Sequence, residues 1–190
     1  MEKIEILISD GENDLYIDNL EKDLSSELNE ITKDREYLTT NIGKGADWVM
    51  VIAILSGIFL LGKQINDGLE GWIKLANKFN KLLNKLKKKV YFIDANGAKL
   101  ISIHELVKDF KKEITSIQLI QSTELSNNPI KNAFFDDRPM ERIDSKPYRY
   151  FINVFLVNNE IFYIFEVKSN GRIISMNKFS DEQYEFFSIE

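Results

Sequence analysis

Residues 48–62, WVMVIAILSGIFLLG, run fifteen positions without a charge, and the way they fold decides how the rest of the chain is arranged. Asp47 precedes them as a helix cap. As a helix the segment rises only about 22 Å, short of the ~30 Å hydrocarbon core of a bilayer, so a buried core helix is expected. Topology agrees, because a membrane span would put the first strand of the chain on the opposite side from every later one. The segment begins far from Met1 with no basic run immediately before it, so it is not read as a signal peptide.

After Gly68 and Gly71 comes WIKLANKFNKLLNKLKKK, residues 72–89. Trp72, Leu75, Ala76, Phe79, Leu82, Leu83 and Leu86 share one helical face, and seven Lys with no acid fill the remainder. This is a basic amphipathic helix, and laid over residues 48–62 it would cover them, with Gly57 and Gly62 allowing close approach. Before the apolar segment, Ile4, Leu7 and Ile8 mark a strand closed by Asp10-Gly11. Asp18-Asn-Leu-Glu21 fits a capping box, and Ile17, Leu20, Leu24, Leu28 and Ile31 give an amphipathic helix with an acidic outer face. Residues 36–41 read as a short strand.

Charge is distributed unevenly along this order. Residues 1–40 hold 12 acids and 4 bases, residues 63–89 hold 2 and 8, and residues 90–190 hold 15 and 12. An acidic first section and a basic middle section can neutralise each other inside the fold, or the lysines can face an acidic partner.

Val90–Ile93 and residues 99–101 flank Asp94-Ala-Asn-Gly97, an Asn-Gly hairpin signal. Ser102-Ile-His-Glu105 then resembles a second capping box, opening a short helix. A strand is expected over residues 114–119. Pro129, Pro139 and Pro147 fall in one long acidic connection, and residues 148–157, 161–168 and 172–177 follow as an antiparallel meander. Both faces of its first two strands are largely apolar, so cover is expected on each. Residues 180–187 suggest a last short helix.

Composition removes whole classes of function. A chain of 190 residues with 44% hydrophobic residues, 13 Phe and 7 Tyr is globular and can bury roughly 70% of its unfolded surface. With no Cys there is no disulfide, thiolate metal site or cysteine nucleophile, and a reducing, cytoplasmic home is expected. One His excludes most imidazole chemistry, and His104 reads as structural. The net charge of −5 argues against general nucleic-acid binding. No phosphate-binding, dinucleotide or hydrolase motif is present, so no cofactor is expected.

One short pattern carries possible chemistry. Glu166-Val-Lys168 places a carboxylate and an ammonium on one face of a strand, where the pair can hold a divalent metal and steady a developing charge. It is similar to the Glu-x-Lys half of the PD-(D/E)xK nucleases, but the Asp of the preceding strand aligns with Asn153, a weak ligand, with Asp144 nearby. Asp136, Asp137, Glu141 and Asp144 are oxygen ligands without calcium-loop spacing, and a solvated acidic loop facing a basic partner is the simpler expectation. No metal site is assigned.

The order of features in residues 1–112 resembles the effector-associated constant component family of bacterial conflict systems. The shared features are IEILIS, the acidic helix with Leu20 and Leu24, WVMVIAILSGIFLLG, WIKLANKF and VYFIDANGAKLISI. The resemblance implies a non-catalytic bacterial protein acting through protein contacts, and it transfers no active-site residue.

The sequence therefore predicts an α+β protein, with an N-terminal section over 1–113 built on a buried apolar helix and a basic amphipathic helix, and a C-terminal antiparallel sheet section over 114–190, as two sections or as one continuous domain. The expected function is protein–protein interaction as a regulatory, adaptor or immunity-type component of a bacterial defence or toxin system. Lys74, Lys78, Lys81, Lys85, Asp136, Asp137 and Glu141 are the candidate partner-binding residues. A different class remains open, a membrane-acting protein that inserts residues 46–62 and lays 72–89 on the headgroups. A third is a nuclease-like enzyme using Glu166 and Lys168.

Overall fold

The computed structural model describes residues 2–10, 14–31, 35–41, 48–56, 69–88, 90–110, 112–126 and 149–180. Within it the apolar run that starts at Trp48 is a strand. The element order is β1 (Glu2–Asp10), α1 (Asp14–Ile31), β2 (Arg35–Asn41), β3 (Trp48–Ser56), α2 (Leu69–Lys85) with a closing 3-10 turn (Leu86–Lys88), β4 (Val90–Ile93), α3 (Ala95–Asp109), β5 (Ile117–Ser126), β6 (Arg149–Val157), β7 (Ile161–Lys168) and β8 (Ile173–Ser180). The fold is α+β with two four-stranded antiparallel sheets, β2-β3-β1-β4 and β5-β6-β7-β8.

The expected apolar helix is thus corrected. β3 pairs along its length with β1, from Glu2↔Ser56 to Asp10↔Trp48, and on its other side with β2, from Arg35↔Ile54 to Asn41↔Trp48. The physical reason is local. Val49, Val51, Ile52 and Ile54 are β-branched and stiff at χ1, which suits a pleated strand better than a helix. A central strand that is apolar without alternation has the same hydropathy as a buried helix, so periodicity alone does not separate them. Residues 57–62 lie outside the described residues. No described helix is long and apolar enough to cross a membrane.

The expected hairpin at 90–101 is also corrected. Its first arm is β4, antiparallel to β1 through Ile6↔Ile93 and Ser9↔Val90, but its second arm is helical. Asp94 caps α3, its Oδ1 accepting the Gly97 backbone N–H at 2.8 Å. A Cβ at Gly97 would lie 3.0 Å from Ile93 Cβ and 3.1 Å from Phe79 Cζ, so this glycine serves close packing and not a turn. Ser102 sits mid-helix and does not cap, donating its hydroxyl to the Ala98 carbonyl at 2.9 Å.

The amphipathic helices form, but α1 begins at Asp14 and not at the expected capping box, so Asp18-Asn-Leu-Glu21 lies inside the helix and does not cap it. α1 buries Leu20, Leu24 and Leu28, and α2 buries Trp72, Leu75, Ala76, Phe79, Leu82 and Leu83 while carrying its lysines on the other side. α3 differs: residues 97–103 are buried without interruption. Helix α3 packs against α2 and β1 on one side and against β5, β6 and β7 on the other, so it has no solvated face over those turns. One apolar cluster runs through it, from Ile4, Ile6 and Ile8 in β1 to Phe151, Phe155, Phe165 and Val167 in the second sheet. Tyr163 stacks 6.0 Å from Phe165 and donates its hydroxyl to Asp109 at 2.9 Å; burial, then that carboxylate, pushes the phenol up to about 12.

The C-terminal meander is present, its last strand running past the expected end to Ser180, where the expected short helix would start; residues 181–187 of that helix lie outside the described residues. Its β6–β7 connection is the three residues 158–160, with Asn158 and Asn159 at φ 53° and 55°, a left-handed backbone that asparagine tolerates, and the Glu160 N–H donating to the Val157 carbonyl at 3.0 Å. The Asn158 side chain also accepts the Thr115 and Ser116 backbone N–H groups, pinning the entry to β5. Across the sheets, the Ile93 N–H of β4 donates to the Ser169 carbonyl at 2.7 Å. Both edge strands of the second sheet carry a bulge, where the ladder skips Ile120 in β5 and Ile174 in β8.

Candidate functional site

Glu166 and Lys168 share one face of β7, as their spacing requires. The Ser175 hydroxyl donates to Glu166 Oε2 at 3.4 Å, and Lys168 Nζ sits 5.5 Å from the centre of the Tyr150 ring. Asn153 lies on the other face. It pairs in register with Phe165, whose side chain belongs to the core, and it is fully buried. There its Nδ2 donates to Ser102 Oγ at 3.2 Å and its Oδ1 accepts from Ser122 Oγ at 2.8 Å. The sheet therefore stands between Asn153 and the Glu166–Lys168 pair, so these three residues do not converge; Asp144, the other acid considered, lies outside the described residues. Among the described residues no group of three or more metal-ligating side chains occurs.

The lysines of α2 meet the acids of α1. Lys85 Nζ lies 2.6 Å from Glu27 Oε1 and 3.4 Å from the Asp23 carbonyl, Lys81 Nζ lies 3.1 Å from Glu30 Oε1, and Lys78 donates to the Glu30 carbonyl. Lys74 pairs within its own helix with Glu70 at 2.6 Å, on an exposed surface. Internal neutralisation, the simpler of the two readings of the charge pattern, pairs two of the four lysines, Lys81 and Lys85, with acids of α1, while Lys78 bonds only a backbone carbonyl there. Asp136, Asp137 and Glu141 lie outside the described residues.

Glu27 gives this seam a stability consequence. It is only 5% exposed, its hydrogen bond from Lys85 holds its carboxyl below the usual range, and its Oε2 has no hydrogen-bond partner among the described residues. Lys85→Glu sets a second carboxylate against it, so the variant is expected to lose about 1–2 kcal/mol in chemical denaturation at low salt. Lys74→Glu, beside exposed Glu70, should stay within about 0.5 kcal/mol of the parent. Equal losses in the two variants would contradict the pairing of Lys85 with Glu27.

Two further groups had no clear signal in the sequence. His104, placed in a helix's first turn by the capping-box reading, lies in the third turn of α3 and contacts Asn77 and Asn80 of α2. Asp94 at the head of α3 is pushed up to about 6, first by burial and also by Glu5, against the bond from Gly97. A carboxyl that binds its proton more tightly folded than unfolded contributes most below pH 3.8, and that contribution is lost as the pH rises through about 6. Asp94→Asn keeps the cap and removes the buried charge, so it should raise stability by about 1–2 kcal/mol at pH 7.5 and flatten the profile between pH 4 and 6. Unfolding curves across that range check this.

Large exposed apolar side chains are few and confined in place. Of the five among the described residues, four stand on the two edge strands of the second sheet: Ile120 and Leu125 on β5, Ile174 and Met176 on β8. Compared with known proteins, the chain matches no family model, no curated protein and no solved structure.

Proposed function

We propose that the protein is a non-catalytic interaction component, of the regulatory, adaptor or immunity type, in a bacterial defence or toxin system. The observation that carries this reading is the pair of bulges in the second sheet. Each edge strand is interrupted at one residue, and in both cases the residue left out of the ladder is an isoleucine more than 40% exposed. A bulge re-aims a side chain and interrupts main-chain pairing along the edge, so what each edge offers a partner at this point is the side chain itself. Isoleucine there suits an apolar anchor for a partner protein packed against the edge through side chains. The separation of Asn153 from Glu166 and Lys168 supports the same reading, since these three residues do not converge on one site.

The test compares capture of interacting proteins from the native cells by the parent, by Ile120→Asp and Ile174→Asp, and by Lys74→Glu. A partner retained by the parent and by Lys74→Glu but lost from either bulge variant, at unchanged melting temperature, supports the proposal. Retention by both bulge variants overturns it.

A further inference from the structure

The one histidine of the chain joins α2 to α3 through both ring nitrogens. His104 Nδ1 is 2.8 Å from Asn77 Oδ1, and His104 Nε2 is 3.0 Å from Asn80 Nδ2. An amide oxygen only accepts and an amide NH2 only donates, so these partners suit a single state of the ring. With the amides oriented in this way, the contacts are satisfied by a neutral ring with its proton on Nδ1, where Nδ1–H donates to Asn77 and bare Nε2 accepts from Asn80. Asn77 and Asn80 are three residues apart on α2, on one side of the helix, so the imidazole bridges two consecutive turns. A second proton, on Nε2, would point N–H at the Asn80 NH2, so the contact breaks unless the Asn80 amide turns its oxygen to the ring.

We propose that His104 is a proton-sensitive clamp, which holds the basic helix α2 against α3 while neutral and loosens it when Nε2 takes up a proton. The charges around the ring act in both directions. On α3 the Glu105 carboxylate, 4.0 Å from Nε2, favours the charged ring, but Lys108 lies 3.3 Å from that carboxylate and opposes it. From α2, the two groups that touch the ring are uncharged amides. Burial of the ring is the largest effect, and the proton is held less tightly than at the ordinary value of 6.5. A base whose folded affinity for protons is lowered contributes fully above 6.5, and the contribution is lost as the pH falls through its folded midpoint. Asp94, at the head of the same helix, responds in the opposite sense, so acid loosens the α2 side of α3 while its N-terminal cap gains.

Because the chain has one histidine, its ring signals can be followed by NMR without assignment variants. The unmodified protein is titrated from pH 8 to 4.5 while amide exchange in α2 is measured, corrected for intrinsic exchange rates. The expected result is a His104 midpoint below 6.5, with loss of protection across Leu75, Phe79 and Leu82 following it. Asn80→Asp offers Nε2–H an acceptor, so the midpoint should move above 6.5 and α2 should keep its protection in acid. A midpoint at or above 6.5 in the unmodified protein overturns the clamp, as does α2 protection that ignores the titration. If Asn80→Asp fails to fold, the unmodified protein alone decides.

Discussion

Asn153→Asp, which restores the acid that a nuclease-like reading of the meander would want, is expected to cost about 3–5 kcal/mol at neutral pH and to produce no metal-dependent cleavage. The side chain points into the core between α3 and the second sheet, where its two contacts are the hydroxyls of Ser102 and Ser122. An aspartate there loses the donor that Ser102 accepts and brings a charge with no cation against it. Glu166 and Lys168 cannot help, since they project from the opposite face of the strand that pairs with it. The carboxyl would bind its proton more tightly folded than unfolded, so the destabilisation is largest above its folded midpoint and relents as the pH falls. Denaturant unfolding at pH 7.5 and pH 5, with a magnesium-dependent nuclease assay, checks both halves. A loss under about 1 kcal/mol accompanied by cleavage would restore the catalytic reading.

Phe79→Ala is expected to cost a similar ~3–5 kcal/mol by a different route. Phe79 is fully buried on α2, and its ring reaches the space a Cβ would occupy at Gly97 of α3. The glycine brings the helices together and the ring fills the room so made, so truncation leaves a cavity that Gly97 has no side chain to fill. At this chain length the loss lowers the melting temperature by about 10 °C. A denaturation midpoint that falls while its slope stays constant is the expected signature. A drop under about 1 kcal/mol would mean that the two helices close over the gap.

The elements legible in the sequence were those with one solvated side. α1 and α2 announce themselves because Leu20, Leu24, Leu28 and the stripe from Trp72 to Leu83 alternate with charge. β6, β7 and β8 are legible through their turns, Asn158-Asn159 and Asn170-Gly171. What failed were the two elements enclosed by others. β3, paired on both sides, and α3, packed between a helix and two sheets, lack the polar positions that set a period. Asn96-Gly97 misled for a related reason, because the glycine is selected by contact with Phe79 and Ile93 and not by a turn. Of the candidate site, the spacing of Glu166 and Lys168 was readable, but the face on which Asn153 lies depends on strand register, which no motif encodes. The seam between Lys85 and Glu27 was foreshadowed only by opposite net charge in two distant stretches.

The enclosure of α3 also imposes an order on synthesis. The helix is complete at Asp109, yet the strands that close its second side end only at Lys168. At roughly 5–20 residues per second a ribosome needs about 3–12 s to add the intervening stretch. For that interval an apolar helix has only α2 and the first sheet to lie on, with its other flank open to whatever the nascent chain meets. The growing polypeptide thus passes through a stage in which its most apolar helix is half dressed, and chaperone contact in this protein is expected to concentrate there.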